Sequence, residues 1–157
     1  MTDADRVAND LLAKARATAM KLLARREHSR LELDLKLRQR RYDAETIVAV
    51  LDEFEREGWL DDERFADIYV RQRCEAGYGP QRIQAELQQR GIEGMPASLA
   101  AVPDAEWREL ALRMRVRRFG GEVVDDWSER GRQGRYLAQR GFTMEHIDFA
   151  LTQSGGE

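Results

Sequence analysis

Apolar positions in this chain recur three and four residues apart almost throughout, the spacing of one face of an α-helix. Val7, Leu11, Leu12, Ala15, Ala19, Leu22 and Leu23 predict a first helix to about Arg26, after a polar start (residues 1–6) expected to fray. Ser29-Arg30-Leu31-Glu32 has the form of a capping box and opens a second helix. The stretch from Leu31 to Leu37 alternates apolar and charged residues, which is also a strand pattern. It contains no β-branched residue, and its copies elsewhere in the chain lie on helical patterns, so we read it as helix. Asp43 caps a third helix carrying Ile47, Val48, Val50, Leu51 and Phe54, and Gly58 ends it.

This pattern repeats. Leu33, Leu37, Arg40 and Tyr42 are matched by Ile83, Leu87, Arg90 and Ile92, and again by Gln133, Leu137, Arg140 and Phe142, with Gln133 the polar exception. Gly91 and Gly141 follow Arg90 and Arg140 as helix-ending glycines, and Ile47 and Leu51 recur as Ile147 and Leu151. Tyr42/Ile47 and Phe142/Ile147 have staple spacing around the caps Asp43 and Thr143. In the middle copy Phe65, Ile68 and Tyr69 mark a helix, Gly77-Tyr78-Gly79 breaks it, and Pro80 starts the next. A weak third helix, Met95 to Ala101, follows. The last copy starts near Asp104 with Trp107, Leu110, Ala111 and Met114, breaks at Gly120-Gly121, and continues as Ser128 to Arg140 and Thr143 to Leu151. The prediction is an all-α fold, an elongated tandem array of three three-helix units at 1–58, 59–102 and 103–157. Residues 152–157, ending Gly155-Gly156-Glu157, are expected to fray.

Between the first two units, Leu60 and Phe65 flank the cap Asp61 at staple spacing, and Asp62 and Glu63 lie at the positive end of the following helix. The stretch Gly58 to Ala66 is therefore a joint that sets the angle at which the chain enters the second unit. Asp61→Ala is expected to cost about 0.5–2 kcal/mol of stability, measurable by urea denaturation.

Composition agrees with helix: only three of 157 residues are Pro, and 35% are charged. The net charge is −3, unevenly spread. Lys21 to Arg41 holds eight basic residues against three acids; Asp43 to Asp67 holds ten acids against two arginines. Arginines return at 113, 115, 117 and 118, then at 130, 132, 135 and 140. Alternating fields suit a charged, grooved partner, whereas a protein that only coats DNA would be net basic. Cys74 stands alone, as expected of a reducing compartment, and reads as a packed residue. No apolar run approaches the roughly 20 residues of a membrane span, nor is there a signal-peptide core, so the expected location is cytoplasmic.

The residue types of catalysis do not assemble. His28 and His146 are isolated and read as surface or capping histidines; no phosphate-binding loop, metal-ligand spacing or nucleophile–base pairing occurs. No catalysis, cofactor, metal or small-molecule substrate is expected. Candidate chemistry is therefore that of a binding surface: Arg25, Arg26, Arg30, Lys36, Arg40 and Arg41 around the second helix, Arg82 and Arg90 in the middle unit, and Arg132, Arg135 and Arg140 in the last. Arg40, Arg90 and Arg140 share one position of the repeat, as a row facing phosphates or acidic side chains would; the alternative is that each binds the last carbonyls of its own helix. Trp59, Trp107, Trp127, Tyr69 and Phe119 are expected in the core. Leu31 and Leu35, apolar only in the first copy, are expected at the surface.

Gly58-Trp59-Leu60-Asp61-Asp62-Glu63-Arg64-Phe65-Ala66, then Arg71-Gln72-Arg73, Gly79-Pro80-Gln81-Arg82-Ile83-Gln84-Ala85-Glu86-Leu87 and Arg90-Gly91-Ile92, resemble the RecX family of recombinase regulators. The resemblance spans roughly Ala19 to Leu151, and its specific motif comprises Gly58, Leu60, Asp61, Asp62, Arg64, Phe65 and Ala66. It implies tandem three-helix units and a non-enzymatic protein that binds the RecA recombinase filament on DNA. Such a protein restrains strand exchange, ATP turnover and the co-protease role from within the filament groove. It departs from the pattern in the short third helix of unit two and at Gln133. A direct DNA-binding module of helix-turn-helix type is the alternative, and a plain helical scaffold for another protein a third. Hinges such as Gly77-Tyr78-Gly79 also permit exchange of units between chains.

Overall fold

The computed structural model describes residues 2–155, and within them every regular element is helical. In chain order these are α1 (Asp3–Arg25), α2 (Arg30–Gln39), α3 (Ala44–Arg56), α4 (Asp62–Glu75), α5 (Pro80–Gln89), α6 (Ala97–Ala100), α7 (Asp104–Phe119), α8 (Trp127–Gln139) and α9 (Met144–Thr152). They group into two compact units: Met1–Ala66 with Arg90–Ile92, and Asp67–Gln89 with Glu93–Glu157.

In the first unit, α1, α2 and α3 enclose a core of Ala15, Ala19, Leu22, Leu33, Leu37, Ile47, Val50, Leu51, Phe54 and Leu60. The strand-like run of α2 is helical because Leu33 and Leu37, four apart, both point into this core, while Leu35 is 49% exposed. Leu31 is half-buried. The capping box at Ser29 forms in both directions with Glu32. A second box, Thr2 with Asp5, starts α1 at Asp3, within the stretch expected to fray.

The Gly58–Ala66 joint works harder than a single cap. Asp61 Oδ1 accepts the Arg64 N–H at 3.1 Å and starts α4. Asp62 Oδ1 turns back and accepts the Arg30 N–H at 2.7 Å, capping α2. Burial raises its pKa, and the Arg30 N–H bond opposes that. Arg64 closes the joint: Nη1 donates to Gly58 O at 2.9 Å, Nη2 to Trp59 O at 3.2 Å, and Nε to Glu27 at 2.9 Å. The specific motif is therefore a joint within the first unit.

In the second unit the N–H groups of Gly79 and Gln81 donate to Arg140 O and Gly141 O at 2.7 and 3.0 Å. A Cβ on Gly79 would stand 2.5 Å from Gly141 C, so only glycine permits this approach of the α4–α5 turn to the α8–α9 turn. The α7–α9 packing is built around Arg115, fully buried and with no carboxylate paired to it among the described residues. Its Nε donates to Ala150 O at 2.6 Å, Nη2 to Gln153 O at 2.7 Å, and Nη1 to Gly120 O and Glu122 O at 3.2 and 2.9 Å. These carbonyls lie at or just beyond the C-terminal ends of α7 and α9, where the helix dipoles supply the compensating negative potential. The sequence shows Arg115 only as one of a run of arginines.

Other expectations shift in detail. The third helix of the middle repeat shrinks to Ala97–Ala100, held by buried Leu99. Gly155, expected to fray, donates to Gly121 O at 2.9 Å; Gly156 and Glu157 lie outside the described residues. Trp107 is buried as expected, and Tyr69 and Phe119 are half-buried. Trp59 remains largely exposed, its ring edge-on to Phe54 at 5.3 Å. Trp127 is 88% exposed and is not a core residue, because it stands at the first position of α8. Gln133 is buried and donates to Glu129 at 3.0 Å; it fills the core position its apolar counterparts hold.

Candidate functional site

Two cationic surfaces emerge, one in each unit. The first surrounds the α1–α2 corner. His28 is buried there: Nδ1 donates to Arg26 O at 3.0 Å, which leaves Nε2 to accept the Lys36 ammonium at 2.8 Å. Burial pushes the His28 pKa down, and the charges of Arg26 and Lys36 push the same way. The Lys36 pKa is lowered too, first by desolvation and then by repulsion from Arg26, Arg40 and Arg25. Glu32 is the carboxylate within this group, held low by the Arg26 and Ser29 hydrogen bonds although burial alone would raise it. Arg26 pairs with it at 3.1 Å and Arg90 at 3.7 Å. Arg25 and Arg40 are exposed yet close enough to act on Lys36, and Arg41 is exposed just beyond the end of α2. Arg30 is half-buried away from them, tied to Asp52 at 3.0 Å and to Glu55 on α3, so its role is to pack α2 on α3.

The depressed His28 pKa makes stability depend on pH. Neutral His28 is favoured in the folded state, so its stabilisation is complete above the unfolded value of about 6.5 and is lost as pH falls toward the lower folded value. The melting temperature should therefore drop more between pH 7 and pH 5.5 in the wild type than in His28→Asn, as followed by circular dichroism.

The second surface is a strip of arginines alternating with aromatic rings. Arg132 lies 5.0 Å from the Phe119 ring, and Phe119 packs edge-on against Tyr136 at 5.3 Å. Arg118 and Arg140 each lie 5.6 Å from Tyr136. Arg140, Arg82 and Arg73 then surround Tyr78 at 4.3, 4.4 and 3.8 Å. Glu86 answers Arg73 and Arg82; burial works to raise its pKa, but hydrogen bonds from Arg73, Tyr69 and Arg82 outweigh that and hold it low. Glu129 pairs with Arg132 at 3.3 Å. Five guanidiniums and two carboxylates leave the strip cationic. Tyr78, Tyr136, Arg73 and Arg118 are members that the repeat position alone did not select; a basic residue beside an aromatic one was the available signal.

The shared repeat position does not give one shared role. Arg40 Nη1 donates to Lys36 O of its own helix at 3.3 Å. Arg90 pairs with Glu32. Arg140 Nε donates to Gly77 O at 2.8 Å and Nη2 to Ala76 O, capping the C-terminal turn of α4 rather than its own helix. Arg82 likewise reaches Gln139 O at 3.1 Å. Arg135 is exposed on α8, with no carboxylate partner among the described residues.

No reactive centre accompanies these surfaces among the described residues. His146 is not a surface residue: its Nδ1 accepts the Thr143 N–H at 3.2 Å, so Nε2 carries the proton donated to Asp104 at 2.7 Å, and it closes the capping box of α9, whose N-cap is Thr143. Burial, with Glu106 and Glu75 nearby, raises the Cys74 thiol pKa, the opposite of an activated nucleophile. No cluster of three metal-ligating side chains occurs among the described residues, and no helix there is long and apolar enough to cross a membrane.

Fold and surfaces together define an all-α protein of three-helix units that presents guanidinium-rich faces. Comparison with known proteins places it further. Residues 15–54, 61–94 and 104–151 match the first, second and third three-helix domains of RecX in order. The chain is 43% identical to regulatory protein RecX of Pseudomonas fluorescens over 147 residues, 93% of this chain and 95% of that one. It is also 43% identical to regulatory protein RecX of Halorhodospira halophila over 133 residues, 84% of this chain and 83% of that one. The crystal structure of RecX from Lactobacillus salivarius superposes with a TM-score of 0.78 at 21% identity, covering 91% of this chain and 96% of that one. A second RecX crystal structure gives 0.83 at 20% identity, over 96% of this chain and 79% of that one. The chain belongs to the RecX family of regulatory proteins.

Proposed function

We propose that this protein is a non-enzymatic regulator that binds the RecA filament assembled on DNA and restrains its strand exchange, ATP turnover and co-protease activity. The observation that carries the reading is the concentration of unbalanced guanidinium charge on two faces of a net acidic chain: the His28–Lys36 corner with Arg25, Arg40 and Arg41, and the arginine–aromatic strip. Such faces hold phosphates or carboxylates while the acidic remainder discourages indiscriminate coating of DNA. We further propose functional domains at 1–58, 59–102 and 103–157. The test is co-sedimentation with RecA filaments on single-stranded DNA, with bare single-stranded DNA as the control. Retention with filaments and little retention on bare DNA is expected; equal retention on both would overturn the reading.

Arg41 adds support from backbone conformation. It sits at φ +67, where the equivalent positions are Gly91 and Gly141 at φ +84 and +102. A side chain there costs about 1 kcal/mol that glycine would not. Arg41→Gly is therefore expected to raise stability by about that amount in urea denaturation while weakening filament binding.

The second reading, direct DNA binding, is favoured by the strip, since interleaved arginines and rings are how single strands are held. It predicts tight DNA binding without RecA, falling steeply with salt.

A further inference from the structure

The apolar stripe of α1 outruns the unit it packs in. Ala4, Ala8, Leu11, Ala15, Ala19 and Leu22 follow one another at four- and three-residue spacing, hence on one face. The lower three are buried in the first unit, but residues 2–11 are exposed throughout. Val7 is 59% and Leu11 40% exposed. The cause is length: α1 has 23 residues, α2 has 10 and α3 has 13. The apolar face of about three turns of amphipathic helix is thus left exposed, a length that is marginal in water on its own.

The second unit carries a groove of matching character between α8 and α9, of about 580 Å³. Gly131, Gly134 and Ala138 line its α8 side and Ile147 and Leu151 its α9 side, with Trp127 and Met144 exposed at its edge. Its depth is not required by internal packing. A Cβ on Gly134 would meet Ile147 and Leu151 at 3.6 and 3.9 Å, ordinary contact distances. Alanine would fit there and favour the helix, so glycine leaves open space at a cost to α8. Ten residues of helix, about 15 Å long, match the span of α8 from Trp127 to Ala138.

Charge selects the occupant. Arg135 lies at the groove, its Nη1 3.2 Å from where a Cβ on Gly131 would stand, with no carboxylate partner among the described residues. Asp10, one turn from Arg6 and beside Leu11 on α1, has no cationic partner among the described residues either. Asp3 and Asp5 add further negative charge to the same segment.

We propose that the exposed N-terminal half of α1 docks in the α8–α9 groove of a second copy of this chain, with Leu11 and Val7 over the floor of Gly131 and Gly134 and Asp10 against Arg135. The contact joins two different surfaces. Unless rotation closes a ring, it repeats from copy to copy and generates a row. A single short helix makes a small interface, so association is weak and concentration-dependent.

Sedimentation velocity of the full chain over a concentration series tests this. The wild type should shift to species larger than a monomer as concentration rises. Leu11→Asp, which disables the helix, and Gly134→Leu, which fills the groove, should each remain monomeric. Mixed in equal amounts they should form dimers and nothing larger, because one chain retains the groove and the other the helix. If Gly134→Leu fails to melt cooperatively, Arg135→Glu replaces it. A wild type that is monomeric at every soluble concentration overturns the proposal, whichever protein or part of its own chain meets these surfaces. So do association that survives both variants and a mixture that stays monomeric.

Discussion

Arg115→Met is expected to lower the unfolding free energy by about 3–5 kcal/mol, because at least two charge-assisted hydrogen bonds of about 1.5–3 kcal/mol each are lost together. Four carbonyls, of Ala150, Gln153, Gly120 and Glu122, converge on this one guanidinium, and methionine offers none of them a donor. Desolvation lowers the Arg115 pKa, yet an arginine stays charged at any pH the protein survives, so the contribution persists across the usual range. Arg115→Lys should recover only part of the loss, since an ammonium lacks the planar fork that reaches carbonyls on both helix ends. Urea denaturation of the three proteins measures the series. A loss below about 1 kcal/mol in Arg115→Met would show that water satisfies those carbonyls equally well.

The second large effect concerns binding. Reversing Arg25, Arg40 and Arg41 together to Glu should weaken association with RecA filaments by roughly tenfold to a hundredfold, through loss of complementarity at the α1–α2 corner. All three are exposed, so the melting temperature should change little. Filament co-sedimentation at fixed salt reads the first effect and circular dichroism the second. The same exchange at Arg30 should instead destabilise the protein, since its guanidinium ties α2 to Asp52 and Glu55 on α3.

The helices were legible because their signals are local. Ser29 with Glu32, Asp43 with Thr46 and Thr143 with His146 place caps within one turn, and the buried stripe of α3 reads directly from Ile47, Val50, Leu51 and Phe54. Thr2 with Asp5 belongs to the same class, set in an otherwise polar stretch. Arg115 was half legible: it stands four residues beyond Ala111, on the stripe of Trp107, Ala111 and Met114, but two of its four partners lie 35 and 38 residues away. The surfaces were least legible. Repeat position grouped Arg40, Arg90 and Arg140, but what each guanidinium does depends on neighbours that the repeat does not share: a helix carbonyl, Glu32, and the end of α4. Asp62 shows the same limit, since capping α2 from 32 residues away leaves no mark in local sequence.

If this chain regulates RecA as proposed, it does so through its cationic faces. RecA ATP hydrolysis on single-stranded DNA, titrated with the wild type and with Arg25→Glu/Arg40→Glu/Arg41→Glu, tests it most directly. Progressive inhibition by the wild type is expected, with a curve shifted to at least about tenfold higher concentration for the variant. Unchanged ATP turnover at every ratio of wild-type protein, or equal inhibition by the two, would contradict it.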